Sequence, residues 1–261
     1  MELYKAIWSG IVNGIVDLSP LSRGAHFELF KTIVSDGSDQ ISALLQMATF
    51  GSFVALLLYF WREYRAMFRR SGRSKIVKLL LLASPYCVAY VALSWLVEKT
   101  SFIMNLFFVA VLLIVSGGLV LAWNKNYRPK GRERAMSKKS ALILGSVSTL
   151  SLLPGLSRIM LSTLTGWFLR IKEGKSLRYS ILASAPVLLV IFVRALFLPG
   201  SAQFFAGDFG PLLLANIVSF IVTLFVLRFI MRREEKRVMR IAAWYQVMLG
   251  LLVLVFELIK I

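Results

Sequence analysis

Apolar residues along the chain gather into ten runs, and run length sorts them into two kinds. Six are long enough for a helix to cross about 30 Å of hydrocarbon, which takes about 20 residues. These are Ile41–Trp61, Ile76–Val97, Phe102–Trp123, Tyr179–Leu198, Phe209–Ile230 and Ile241–Ile259. Four are too short: Ala6–Leu18, Ala25–Val34, Ala141–Leu153 and Ile159–Leu169. The short runs come in pairs, each split by a proline and a Ser-Arg dipeptide, Pro20 with Ser22-Arg23 and Pro154 with Ser157-Arg158. Proline disfavours continuing a helix through it, so each pair reads as helix, break, helix. Such a pair enters the membrane and turns back, and broken backbone at that depth must be buried in protein or line a wet cavity.

Each half of the chain is then one hairpin followed by three spans: residues 1–123 with hairpin 6–34, and residues 124–261 with hairpin 141–169. The Leu-Ser-Arg ends of the two breaks are displaced by 135 residues. Three crossings is an odd number, so the second half starts on the opposite face from the first. The expected fold is all-α and integral to the membrane. It has six transmembrane helices and two re-entrant hairpins in an inverted-topology repeat, forming one membrane domain.

Loop charge fits this layout. The loop Arg62–Lys75 holds six basic residues against Glu63, and Asn124–Ser140 holds seven. Arg170–Arg178 and Met231–Arg240 are basic too, whereas Glu98–Ser101 is nearly neutral and Gly200–Asp208 has no Lys or Arg. By the positive-inside rule the four basic loops are cytoplasmic, and both termini lie outside the plasma membrane.

Composition narrows the class further. The 261 residues are 58% hydrophobic, with a mean hydropathy of +0.74, too apolar for one soluble core. A formal charge of +18 in a soluble protein would suggest nucleic acid. Here the basic residues sit in short loops between spans, where the anionic leaflet accounts for them, so nucleic acid is not an expected partner. Cys87 and His26 are each alone, which excludes an intrachain disulfide and a Cys/His metal cluster. The N-terminal apolar stretch is interrupted by Asn13 and Asp17, with no cleavage site after it, unlike a signal peptide.

Polar groups in lipid are costly and mark sites, so the breaks carry the candidate chemistry. Arg23 and Arg158, meeting from opposite leaflets, need an anion. Guanidinium groups stay charged in a low dielectric and pair bidentately with phosphate. Helix N-termini aimed inward are a second anion-binding device. Phosphate at that depth implies a lipid-linked phosphate. The structural alternative has Arg23 reaching an interface, and Arg158 capping a carbonyl or pairing with an acid. His26, three residues after Arg23 and on the same predicted helical face, can exchange a proton or attack phosphorus. Asp17 can orient His26, bind a divalent cation (Mg²⁺ or Ca²⁺), or neutralise an arginine. Asn13, one turn earlier, is a further polar ligand but no base. Ser22 and Ser157 are expected to cap helices, with phosphate binding or nucleophilic attack as the alternative. Arg194 and Arg228 are expected to reach the outer and inner interfaces.

With these residues assembled, the chain resembles the undecaprenyl-pyrophosphate phosphatase family of the bacitracin-resistance type. Asn13-Gly14-Ile15-Val16-Asp17-Leu18-Ser19-Pro20-Leu21-Ser22-Arg23-Gly24-Ala25-His26 is similar to that family's E-G-x-T-E-F-L-P-x-S-S-x-G-H motif. Pro154-Gly155-Leu156-Ser157-Arg158 matches its P-G-x-S-R, with Ile159-Met160 in place of Ser-Gly. Phe50-Gly51-Ser52 through Phe60-Trp61 is similar to its first span. The resemblance implies hydrolysis of a polyprenyl diphosphate to the monophosphate, recycling the cell-wall lipid carrier with a divalent cation. Asp17, His26, Ser22, Ser157 and Arg158 fall on family functional positions. Asn13 replaces the motif's first acid and Arg23 its second serine, so a non-hydrolytic lipid-phosphate binding protein or flippase is the alternative. Expected partners are the polyprenyl diphosphate, the phospholipid bilayer and, in a homodimer, a second copy of the chain.

Overall fold

The computed structural model describes residues 2–34, 36–69, 72–100, 105–126 and 134–259. The described residues form helices joined by short connections, with a single isolated β-bridge between Arg134 and Ile171. In chain order the helices are α1 (Leu3–Val16), α2 (Arg23–Ile33), α3 (Asp39–Met47), α4 (Thr49–Tyr59), α5 (Trp61–Met67), α6 (Arg73–Lys99) and α7 (Leu106–Asn126). They continue with α8 (Lys138–Ser148), α9 (Arg158–Phe168), α10 (Lys175–Leu182), α11 (Ser184–Ala195), α12 (Ser201–Ala206), α13 (Phe209–Met231) and α14 (Glu235–Ile259). A short 3-10 turn, Thr149–Leu152, follows α8.

Six helical stretches are long and apolar enough to cross a membrane, and they match the six runs read from the sequence. The first and fourth depart from expectation in one respect. Each is two helices laid end to end, α3–α4 with a joint at Ala48 and α10–α11 with a joint at Ala183. These joints are 135 residues apart, like the Ser-Arg pairs. The expected loops 98–101 and 124–140 lie partly outside the described residues.

Short arms form where the sequence asks for them because serines start them. Ser22, Ser137 and Ser157 each accept a backbone N–H from three residues on, at the heads of α2, α8 and α9. At the second break Gly155 takes φ 110°, a left-handed conformation that a side chain disfavours.

Packing joins the halves crosswise. Helix α1 lies along α13 and α8 along α6, while α7 pairs with α14 and α4 lies between α13 and α11. Glycine permits the closest approaches: a Cβ on Gly10 would sit 2.5 Å from the Ala215 carbonyl oxygen, and one on Gly145 2.4 Å from that of Leu82. Small residues that let backbones touch are how helices associate where lipid supplies no hydrophobic drive. A buried seam of hydroxyls adds hydrogen bonds. Ser52 Oγ lies 2.9 Å from Ser219 Oγ, and Thr223 Oγ1 donates to Ser52 Oγ at 3.0 Å.

The basic segments collect at one end of the bundle. Arg178 pairs with Glu63, Lys236 lies 3.3 Å from Glu173, and Lys172 N–H donates to the Arg134 carbonyl. At the other end Lys5 Nζ bonds Asp36 at 2.7 Å, and Gln40 donates to Asp208. The outer ends of α1 and α2 are thus tied together by Lys5 and Asp36. The outer ends of α8 and α9 are tied by Arg134 N–H donating to the Arg170 carbonyl at 2.8 Å.

Candidate functional site

The two breaks touch. Ser22 Oγ accepts the Gly155 N–H at 2.9 Å as well as the Ala25 N–H at 3.3 Å. The Gly155 carbonyl in turn accepts from Ser116 at 3.2 Å. Around this joint lies a small cavity of about 30 Å³, with Asp17, Ser19, Arg23, Tyr86, Ser151, Ser157 and Arg158 on its wall. The two arginines expected to converge therefore line one cavity.

Each guanidinium is held the same way. Arg23 Nη2 donates to Thr49 Oγ1 at 2.6 Å, and Arg158 Nη2 donates to Ser184 Oγ at 2.7 Å. In each case the acceptor is 26 residues further on and opens the helix after the joint in the split span. An aromatic ring flanks each, Phe27 at 4.7 Å from Arg23 and Tyr86 at 5.7 Å from Arg158.

The charges do not balance. Asp17 Oδ1 is 3.3 Å from Arg23 Nε, within ion-pairing reach but without hydrogen-bond geometry. One buried carboxylate faces two guanidiniums, and Arg158 has no carboxylate within ion-pairing distance among the described residues. Arg158 Nη1, Arg23 Nε, Ser19 Oγ and both Asp17 oxygens are buried without a hydrogen-bond partner. Orphaned charged groups at such depth are costly, and an anion accepting from both arginines would satisfy the donors. The cavity has room for about one water and is smaller than a phosphoryl group. It shares Arg23, Tyr86 and Ser151 with a groove of about 530 Å³ that also reaches Lys31, Gln46 and Arg194.

Other expected residues sit elsewhere. His26 and Arg23 were expected on one face, but they diverge in the first turn of α2. Arg23 folds back over Asp17, while His26 Nδ1 donates to the Ser22 carbonyl at 2.6 Å. With Nδ1 carrying the proton, His26 Nε2 accepts from the Tyr245 hydroxyl at 2.9 Å, and the two rings stack 5.6 Å apart. His26 is not on the cavity wall. Asn13 is fully buried behind the site, donating to the Ser9 carbonyl and accepting from Thr49. It positions the hydroxyl that holds Arg23 rather than facing the cavity. Ser22 and Ser157 both act as caps, and Ser157 also lines the cavity. Arg194, expected to reach the outer interface, lies over the Tyr90 ring and donates to Gln46.

No group of three or more His, Cys, Asp or Glu residues is arranged to hold a metal among the described residues. Asp17, within ion-pairing reach of Arg23 and with neither oxygen hydrogen-bonded, is the carboxylate at this cavity that could serve a hard cation as a single protein ligand. The remaining ligands would be phosphate oxygens and water, as magnesium commonly takes them. Four residues escaped the reading from sequence: Thr49, Ser184, Tyr86 and Tyr245. Only the first two left a signal, a hydroxyl residue 26 positions after each Ser-Arg arginine.

Two half-buried arginines meet at the helix breaks inside a bundle of membrane-length helices, which is the architecture of a multi-pass membrane protein. The model of the family described as bacitracin resistance protein BacA matches residues 6–252, and the chain belongs to that family. It is similar to undecaprenyl-diphosphatase 1 of Acinetobacter baylyi, at 26% identity over 97% of this chain and 95% of the relative. It is similar also to the undecaprenyl-diphosphatase of Geotalea daltonii, at 28% over 98% of each. That of Halothermothrix orenii is 29% identical over 72% of each.

Proposed function

We propose that the chain is an integral-membrane phosphatase that converts undecaprenyl diphosphate to the monophosphate, returning the cell-envelope lipid carrier to use. The unpartnered Arg158 Nη1, facing the same cavity as Arg23 with a single carboxylate between them, is the observation that carries this reading. Membership of the family and the names of the relatives support it.

In this proposal the two hairpins are re-entrant and related by an inverted repeat. The matched arginine contacts at a 135-residue offset and the tied outer ends of each arm pair support that arrangement. The bundle lies in the plasma membrane with its basic end cytoplasmic and both termini outside. Pairing into a homodimer belongs to the same proposal, and the mass of the detergent-solubilised particle tests it.

The lipid presents its diphosphate through the groove at Arg23, and the cavity opens to take the terminal phosphoryl group. Arg158 and Arg23 hold its oxygens, with the N-termini of α2 and α9 behind them. Fixed positive groups supply most of what phosphoryl transfer needs. Water forms the new P–O bond, the bridging P–O bond breaks, and the lipid monophosphate leaves with the electron pair. Asp17 restrains Arg23 and, with a divalent cation when one is bound, offsets charge developing on the phosphates. Once Tyr245 releases Nε2 and the opened cavity extends to His26, that residue takes the proton from the water; in the alternative it attacks phosphorus itself, the lipid monophosphate leaves, and water then cleaves the phosphohistidine. Ser22 and Ser157 keep the breaks in register for this.

Phosphate release from undecaprenyl diphosphate by the purified protein tests the proposal, with Arg158→Gln and His26→Ala as controls and with and without chelator. Asn13 in place of the family's first acid favours a second reading, a lipid-phosphate binding protein or flippase. Absence of release together with Arg158-dependent lipid binding would move the chain to that reading.

A further inference from the structure

A second, larger groove of about 1080 Å³ opens at the basic end of the bundle, between α13 and α14. Arg228, Arg232, Arg233 and Arg237 stand around it against one acid, Glu234. None of the four arginines has an ion-pair partner among the described residues. The neighbouring carboxylates are engaged elsewhere: Glu63 with Arg178, Glu173 with Lys236, and Glu235 with Trp167 and the Leu177 N–H. Arg233 is stacked over Phe229 at 4.1 Å, which keeps its guanidinium at the groove rather than in open solvent. Beside the charges the wall turns apolar, with Phe225, Phe229, Ile241, Ile15 and Leu21. The groove ends against Pro20 and Tyr245, behind the first break. Ser19 and Leu21 line both this groove and the central cavity, whereas Asp17, Arg23 and Arg158 take no part in it.

A cluster of uncompensated arginines above a slot of hydrocarbon has the shape of an anionic amphiphile. We propose that this groove is a built site for an anionic glycerophospholipid of the leaflet at the basic end. Its phosphate lies among Arg232, Arg233 and Arg237, and one acyl chain runs down the slot towards Leu21. A free phosphate would use the arginines and leave the slot empty. General attraction of basic loops to an anionic surface needs no slot at all. The site holds a lipid by its back wall, so it stands whether or not the central site hydrolyses diphosphates.

Native mass spectrometry of the detergent-solubilised full chain tests this, with phosphatidylglycerol and phosphatidylcholine added in equal amounts. About tenfold preferential retention of phosphatidylglycerol is expected. The preference disappears in the triple variant R232Q/R233Q/R237Q, whose changes are at exposed positions, and persists in R158Q. Ile241→Trp, which fills the slot and leaves every charge in place, lowers retention. Should the triple variant fail to fold, Arg233→Gln alone is read for a partial loss. Equal retention of the two lipids, or a preference that survives the arginine changes or Ile241→Trp, overturns the proposal. So does displacement by millimolar inorganic phosphate, which makes the groove a free-anion site. Arginine-dependent preference for a polyprenyl monophosphate over phosphatidylglycerol also overturns it, by assigning the groove to the lipid carrier.

Discussion

At residue 23 and again at residue 158 an arginine opens a helix, reaches a hydroxyl 26 residues ahead, and stops at 2.6 and 2.7 Å from it. The cradle is the same in both halves, down to a glycine at 10 and at 145 that lets the first arm touch a neighbouring helix. The reactive groups are not. At the 135-residue offset Asp17 corresponds to Leu152, His26 to Leu161 and Asn13 to Ser148. The first half carries the acid, the imidazole and one arginine, and the second contributes an arginine with an unused donor. The repeated contacts place two arginines on one cavity, and only the first half adds an acid to its wall.

Removing the second arginine tests that division most severely. Arg158→Gln takes away a donor aimed at the phosphates and is expected to lower kcat/KM for phosphate release on the order of 10²–10³-fold. Arg23→Gln should cost less in kcat/KM, because Asp17 already offsets the Arg23 charge, but it should also destabilise the fold by leaving that buried carboxylate unpaired. Equal and small losses in both would break the comparison. Next come the glycines. Gly10→Ala and Gly145→Ala each push a methyl onto a carbonyl oxygen and should destabilise by about 1–3 kcal/mol, read from thermal unfolding in detergent. Thr49→Val and Ser184→Ala each leave an arginine N–H unsatisfied, costing about 1–2 kcal/mol in stability or substrate affinity. Thr49→Val is the larger, since it also strips Asn13 of a donor.

The smallest expected effect concerns how the arms are fastened. The first pair is tied by Lys5 and Asp36, and the second by backbone hydrogen bonds between Arg134 and Arg170. The Lys5 ammonium holds the Asp36 carboxyl down to about 2, from an ordinary value of 3.8. A depressed carboxyl stabilises above its ordinary value, and that contribution fades as pH falls towards 2. Acid should therefore loosen the ends of α1 and α2 but not those of α8 and α9. Hydrogen exchange at pH 5 and pH 2.5, corrected for intrinsic rates, reads this, and Asp36→Asn should abolish the difference.

Much of this was legible in the chain itself. Hydropathy marks the six spans, because lipid demands continuous apolar length. Proline and serine together mark the breaks, because one disfavours continuing a helix and the other starts one, whereas Pro85 alone leaves α6 continuous. What escaped was long-range. Tyr245 meets His26 across 219 residues, and an aromatic inside an apolar run carries no mark of a partner. The joints at Ala48 and Ala183 lie inside long apolar runs, where Gly51 and Pro186, each three residues further on, were the only marks of them. Arg194, a charge near the end of a span, is held by Gln46 and Tyr90, partners that sequence spacing does not announce. Helical spacing put His26 beside Arg23, but a cap carbonyl claimed the imidazole first.

The central claim is that Arg23 and Arg158, one from each hairpin, grip the same diphosphate. A double-mutant cycle on binding of a non-hydrolysable methylene-bridged polyprenyl diphosphate, using R23Q, R158Q and the pair, measures this directly. Each single change should weaken binding, and the pair should differ from their sum by about 0.5–3 kcal/mol. Strictly additive losses, or affinity untouched by either change, would contradict the account.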